Sequence, residues 1–163
     1  MTADARTILA ERARALARPA TAPAAGDTLQ LVSFALGNER CAVEARYTFA
    51  AFRAAELAPL PGAPQPVFGL TSWRGQLLTV VDLRATLGVA SSALADLTHV
   101  IVLGEERPVV GMLAGAPLEL VTLPAVAVQQ PRGGGPAPPA LLRGVTPDAL
   151  LVLDAHALLR HHA

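Results

Sequence analysis

A short phrase occurs twice in this chain, and its repetition constrains the fold more than any other feature. The first copy is Gly69-Leu70-Thr71, five residues, then Leu77-Leu78-Thr79-Val80-Val81-Asp82. The second is Gly144-Val145-Thr146, three residues, then Leu150-Leu151-Val152-Leu153-Asp154. Apolar runs of this length, rich in Val and Leu and bounded by turn residues, read as strands. Each copy then enters a short apolar helical turn, Leu83 to Leu87 in one and Ala155 to Leu159 in the other. Aspartate is a preferred helix N-cap because its carboxylate accepts the free amides of the first turn. Asp82 and Asp154 are therefore read as structural caps. Two strand–turn–strand–Asp–helix units predict two similar subdomains of roughly 70 residues each. Neither buries enough apolar surface to stand comfortably alone, so one co-folded unit is expected.

The rest of the chain fits this reading. From Thr28 the apolar period is that of a strand, and Gly37-Asn38 is a hairpin-like turn before Cys41-Ala42-Val43. Further strands are expected at 67–71, 76–81, 98–103, 108–114, 117–123, 141–146 and 150–153. Residues 45–56 (ARYTFAAFRAAE) read as a helix with Phe49, Phe52 and Leu57 near one face. Pro59, Pro61, Pro64 and Pro66 make an extended crossing that cannot be an interior strand. QQPRGGGPAPP (129–139) is a loop by composition. An N-terminal helix is expected within residues 1–18, where Ile8, Leu9, Arg12, Ala13 and Leu16 recur at helical steps. Pro19, Pro23 and Gly26 then make 19–27 a linker. The fold class is thus all-β with short helices, as small barrels or a sandwich.

Composition excludes several functions. Hydrophobic residues make up 52 % of 163 and charged residues 16 %, which is incompatible with a disordered chain. Thirteen basic residues balance thirteen acidic ones, so no net field draws in nucleic acid or an anionic membrane. Every basic residue is Arg, which removes lysine Schiff-base and P-loop chemistry. Cys41 is the single cysteine, so an intrachain disulfide and a cysteine zinc site are both excluded. It sits in an expected strand without a histidine beside it and reads as a buried, inert thiol. Arg and Glu interrupt the N-terminal apolar residues, against a secretory signal, and no run is long enough to cross a bilayer. A cytoplasmic location is expected.

Possible sites were weighed residue by residue. Asp82 and Asp154 fit caps better than an acid–base pair. His156, His161 and His162 lack fixed ligand geometry, and His99 lies within an apolar strand, so no metal is expected. Gly133-Gly134-Gly135 is followed by Pro136, Pro138 and Pro139 rather than by the helix that a phosphate loop needs. The arginines are scattered and stacking platforms are absent, so nucleic-acid binding is not expected. What remains is Ser72-Trp73-Arg74-Gly75-Gln76, a turn carrying the single Trp. Trp beside Arg at a loop tip has the composition of a protein-contact hot spot. Equally, Trp73 can fold back over an open barrel end while Arg74 pairs locally.

The ordered motifs Phe34-x-Leu36-Gly37, Pro59-Leu60-Pro61, Phe68-Gly69-Leu70, Trp73-Arg74-Gly75, Val80-Val81-Asp82-Leu83-Arg84, Val109-Val110-Gly111 and Leu142-x-Gly144-Val145 together resemble the CheW-like domain. The resemblance spans about residues 28–160. It implies two small SH3-like five-stranded β-barrel subdomains packed together. It implies no catalysis and no cofactor. Its partners would be the regulatory domain of a CheA-type histidine kinase, the cytoplasmic helical hairpin of a chemoreceptor, and other CheW-like domains of an array, to which the protein would be recruited beneath the membrane. The contact residues it implies are Arg74, Gly75 and Gly69, to which the composition of the tip adds Trp73.

Two departures from the family pattern stand out. Counted without gaps, the family's glutamate on the first helix falls at Ala50, so Arg74 needs another acceptor, Glu56 or a backbone carbonyl. Gly115 stands where many members place an aspartate, a change expected to touch surface rather than core. An alternative is therefore a divergent scaffold of a pilus-motility or other chemosensory-like pathway that has lost kinase contact. A small enzyme or ligand-binding barrel is the remaining class.

Overall fold

The computed structural model describes residues 26–90, 93, 96–132 and 137–162. The N-terminal helix expected before residue 19, and the triple glycine at 133–135, lie outside them. The strands are β1 (Thr28–Leu36), β2 (Glu39–Glu44), β3 (Thr48–Arg53), β4 (Ala58–Pro59), β5 (Val67–Trp73), β6 (Gln76–Val81), β7 (His99–Gly104), β8 (Pro108–Pro124), β9 (Leu142–Val145) and β10 (Leu151–Leu153), followed by the helix α1 (Ala155–His162). Gly37, at φ +60°, turns β1 into β2 where Leu36 pairs with Glu39.

The repeated phrase corresponds to repeated topology. β5 pairs antiparallel with β6, and β6 lies parallel to β8, which pairs antiparallel with β7 and thence with β3. Likewise β9 pairs antiparallel with β10, and β10 lies parallel to β2, which pairs antiparallel with β1 and thence with the distal half of β8. The two halves are interleaved: residues 48–113 form one, inserted between the pieces of the other. β8 belongs to both, its first half pairing with β6 and β7 and its second half with β1. Val110, Met112 and Leu113 are buried on its opposite faces, as befits a strand covered on both sides. Phe34, Val43, Leu153 and Leu158 from one half share a single hydrophobic cluster with Leu78, Ile101 and Met112 from the other.

Glycines make each half's crossing possible. A Cβ on Gly69 would lie 2.2 Å from the carbonyl oxygen of Ala58, where β4 pairs with β5. A Cβ on Gly144 would lie 2.6 Å from the carbonyl oxygen of Gln129, which bridges to Val145. The same close approach of a crossing backbone thus recurs at the matching glycine of each copy.

Three expectations need correction. Residues 45–56 are not a helix: Ala45–Tyr47 make one 3-10 turn and Thr48–Arg53 form β3 along β7. Ala-rich local propensity is weak, and pairing with β7 overrides it. Phe49 and Phe52 mimic a helical step because a bulge falls between Thr48 and Ala50. The strands expected at 108–114 and 117–123 are one, β8. Pro117 is tolerated within it because the β1–β8 register breaks between Ser33 and Ala35, where its missing amide costs no regular ladder bond. Gly115 is buried, not superficial: a Cβ there would meet the carbonyl oxygens of Asp96 at 2.9 Å and Ala35 at 3.1 Å.

Cys41 is fully buried on β2, and burial pushes its thiol up to about 12, with Glu39 adding to the rise. Reactivity requires thiolate and access. A thiol-disulfide reagent at pH 8 is expected to leave the native protein unmodified and to titrate one thiol after denaturation. Rapid native modification would show that β2 opens readily.

Candidate interaction site at the Trp73–Arg74 hairpin

β5 and β6 meet in a two-residue turn, Arg74-Gly75, with Trp73 paired to Gln76. Both turn residues have positive φ, 50° for Arg74 and 77° for Gly75, the backbone of a type I′ hairpin. Gly75 meets this requirement without strain, whereas a side chain at Arg74 costs about 1 kcal/mol. Asn or Gly suits that position better. Strain retained at a hairpin tip points toward function rather than stability.

The Arg74 guanidinium lies 4.7 Å from the centroid of the Trp73 ring. It has neither Glu56 nor a backbone carbonyl as a hydrogen-bond partner among the described residues, contrary to the sequence expectation. The indole face is the contact of the guanidinium, worth about 0.5–1 kcal/mol at an exposed site. Ala50 lies half-buried on β3, a strand rather than the expected helix, and packs against the core. The edge of the Trp73 ring meets Phe49, with centroids 6.3 Å apart and planes at 73°. Phe49 is the residue displaced by the β3 bulge, and its ring reaches to within 2.9 Å of where a Cβ on Gly104 would stand. Trp73 packs partly on the core and leaves part of its ring at the surface.

Beside this stack a shallow groove runs between β3 and β5, lined by Phe52, Arg53, Glu56, Thr71, Trp73 and Arg74. Gly69 is not at the tip; it lies buried beneath β4. The caps are elsewhere. Asp82 Oδ1 accepts the amide of Arg84 at 3.0 Å, and its carboxylate also holds the Arg84 guanidinium at 2.8 Å. That hydrogen bonding holds the Arg84 guanidinium firmly protonated against the opposing effect of burial. Asp154 Oδ1 accepts the amide of Ala157 at 3.0 Å at the start of α1.

Sequence reasoning missed a charged cluster on the other half. The Glu44 carboxylate is nearly buried and bonds both Arg143 of β9 and Arg46, the latter at 2.7 Å. Its partners lie two and ninety-nine residues away, and only the second separation needs the fold to reveal it. His99 is held below its ordinary value by burial and by Arg53. Among the described residues no cluster of His, Cys, Asp and Glu suits a metal ion, and no helix is long and apolar enough to cross a membrane.

Comparison with known proteins agrees with this architecture. Protein FrzA of Myxococcus xanthus is 31 % identical over 112 residues, covering 69 % of this chain and 70 % of that protein. The crystal structure of the scaffolding protein TtCheW from Thermoanaerobacter tengcongensis superposes with a TM-score of 0.68 at 16 % identity, covering 78 % of this chain and 90 % of that one. The CheW-like domain matches residues 30–163. With its repeated hairpins, shared β8 and Arg-Gly turn all within that span, this chain belongs to the CheW-like domain family.

Proposed function

We propose that the protein is a non-catalytic adaptor of a chemosensory pathway, which couples the helical hairpin tip of a chemoreceptor to the regulatory domain of a CheA-type histidine kinase. Its two interleaved sheets are read as two small SH3-like barrels that offer separate faces to separate partners. Family membership supports the adaptor role. The observation that carries the contact assignment is the Arg74 turn: an always-charged side chain, held at positive φ, stacked on the single Trp and free of any carboxylate among the described residues. Trp and Arg dominate the energetics of protein interfaces when partners enclose them. Gly75 contributes the turn and Gly69 the strand pairing beneath it.

Calorimetric titration with the regulatory domain of a CheA-type kinase from the same genome is expected to show micromolar saturable binding. Arg74→Asn separates contact from folding, because Asn favours the left-handed turn. It is expected to weaken binding about tenfold, the equivalent of 1.4 kcal/mol, and to leave the melting temperature unchanged or slightly raised. Unaltered affinity in this variant would remove Arg74 from the interface. A folded wild-type protein that shows no binding would overturn kinase coupling.

A further inference from the structure

We propose that the groove between β3 and β5 receives an extended, acidic segment of a partner protein, which adds as a strand to the free edge of β3. Among the described residues β3 pairs only with β7, so its other edge carries amides and carbonyls with no strand partner there. Among the described residues β5 is likewise uncovered beyond Leu70, where its pairing with β4 ends. Exposed edges invite strand addition, and proteins commonly blunt them with short strands, proline or charge. The β4 edge is blunted in this way: it is two residues long and ends on Pro59. β3 runs for six residues without proline, and beyond its bulge between Thr48 and Ala50 the stretch Ala51–Arg53 keeps a regular register with β7 up to the groove.

Charge selects the occupant. Arg53 and Arg74 line the groove, and neither has an ion-pair partner among the described residues. Arg40, Arg46, Arg84 and Arg143 each hold a carboxylate. Arg107, Arg132 and Arg160 hold none among the described residues, but they lie outside the groove. It is the placement of Arg53 and Arg74 together in the lining that gives the groove its positive charge. Glu56 is the one acidic residue in the lining and pairs with neither groove arginine. A third feature marks an incomplete site. Thr71 lines the groove at 3 % exposure, on the same face as buried Leu78, and its hydroxyl makes no hydrogen bond among the described residues. A buried polar group without a partner is costly, and an incoming carboxylate or carbonyl supplies the acceptor. Phe52 and Trp73 give apolar seats to alternate side chains of such a strand.

The proposal takes from the adaptor reading only that the occupant is protein. Its test is selection of random octapeptides on phage against the full chain, followed by titration of the enriched peptide with fluorescence of Trp73 as the readout. Trp73 is the single Trp and lies in the groove, so its signal reports occupancy directly. Enriched peptides are expected to be acidic and to alternate with apolar residues. N-methylation at alternate backbone amides is expected to weaken binding at least tenfold, as is Arg53→Glu combined with Arg74→Glu. Should that double variant fold poorly, Arg53→Gln with Arg74→Gln is expected to weaken binding at least threefold. Neutral or basic peptides, no enrichment, or affinity indifferent to N-methylation would each overturn the proposal. Kinase binding alongside a failed selection would remove the groove and leave the adaptor reading. A successful selection without kinase binding would do the reverse.

Discussion

Gly69→Ala is expected to lower the unfolding free energy by about 2–4 kcal/mol, among the larger effects of a single methyl group. The added Cβ would stand 2.2 Å from the Ala58 carbonyl oxygen and 3.0 Å from the Pro59 Cα. These are backbone atoms, so no side chain can swing away to relieve the contact. Either β4 lifts from β5 or the hairpin twists, and both expose the apolar residues beneath. For a domain of this size the loss corresponds to about 5–15 °C in melting temperature. Gly144→Ala is expected to act in the same direction, since its Cβ would meet the Gln129 carbonyl oxygen at 2.6 Å. Gly26→Ala is the control: nothing lies within 4 Å of its Cβ, and a change within about 0.5 kcal/mol is expected. Equal melting temperatures for Gly69→Ala and Gly26→Ala would mean that β4 does not press on β5 in solution.

Met112→Ala is expected to cost about 2–5 kcal/mol and, more informatively, to do so in one transition. Met112 is fully buried on β8 and belongs to the cluster that joins the two halves. β8 supplies hydrogen bonds to β6, β7 and β1, so neither sheet can open fully while the other stays intact. Calorimetric and van't Hoff enthalpies should agree for the wild type and for the variant, as two-state unfolding requires. Two resolved transitions, with Met112→Ala lowering only one, would show that the halves are independent units.

Legibility of the fold followed the range of the interaction concerned. The hairpin at Gly37-Asn38, the turn at Arg74-Gly75 and the caps at Asp82 and Asp154 rest on neighbours within a few residues, and turn chemistry is local. The helix expected at 45–56 failed because the pairing that makes β3 a strand comes from His99–Leu103, some fifty residues away. The single long β8 was hidden for a related reason. A proline in the middle of a run ordinarily ends a strand, and only the register break opposite it on β1 shows why this one does not.

The candidate site divides along the same line. That Trp73, Arg74 and Gly75 form an exposed tip could be read from adjacent residues. The acceptor of Arg74 could not, because it depends on whether Glu56 or the neighbouring indole lies closer to the guanidinium once the hairpin closes. Nor could the bulge that carries Phe49 onto Trp73, or the groove that β3 and β5 leave between them. By itself the sequence determined a repeated β-hairpin architecture with capped ends and an Arg-Gly tip, since strand period, turn residues and caps act over a few residues. Only the tertiary structure decided that the halves interleave through β8, that Gly69, Gly115 and Gly144 are points of close backbone approach, and that β3 keeps an edge free of the other described strands. Those features depend on which distant strands meet, and that is settled by the global burial of apolar surface rather than by any local pattern.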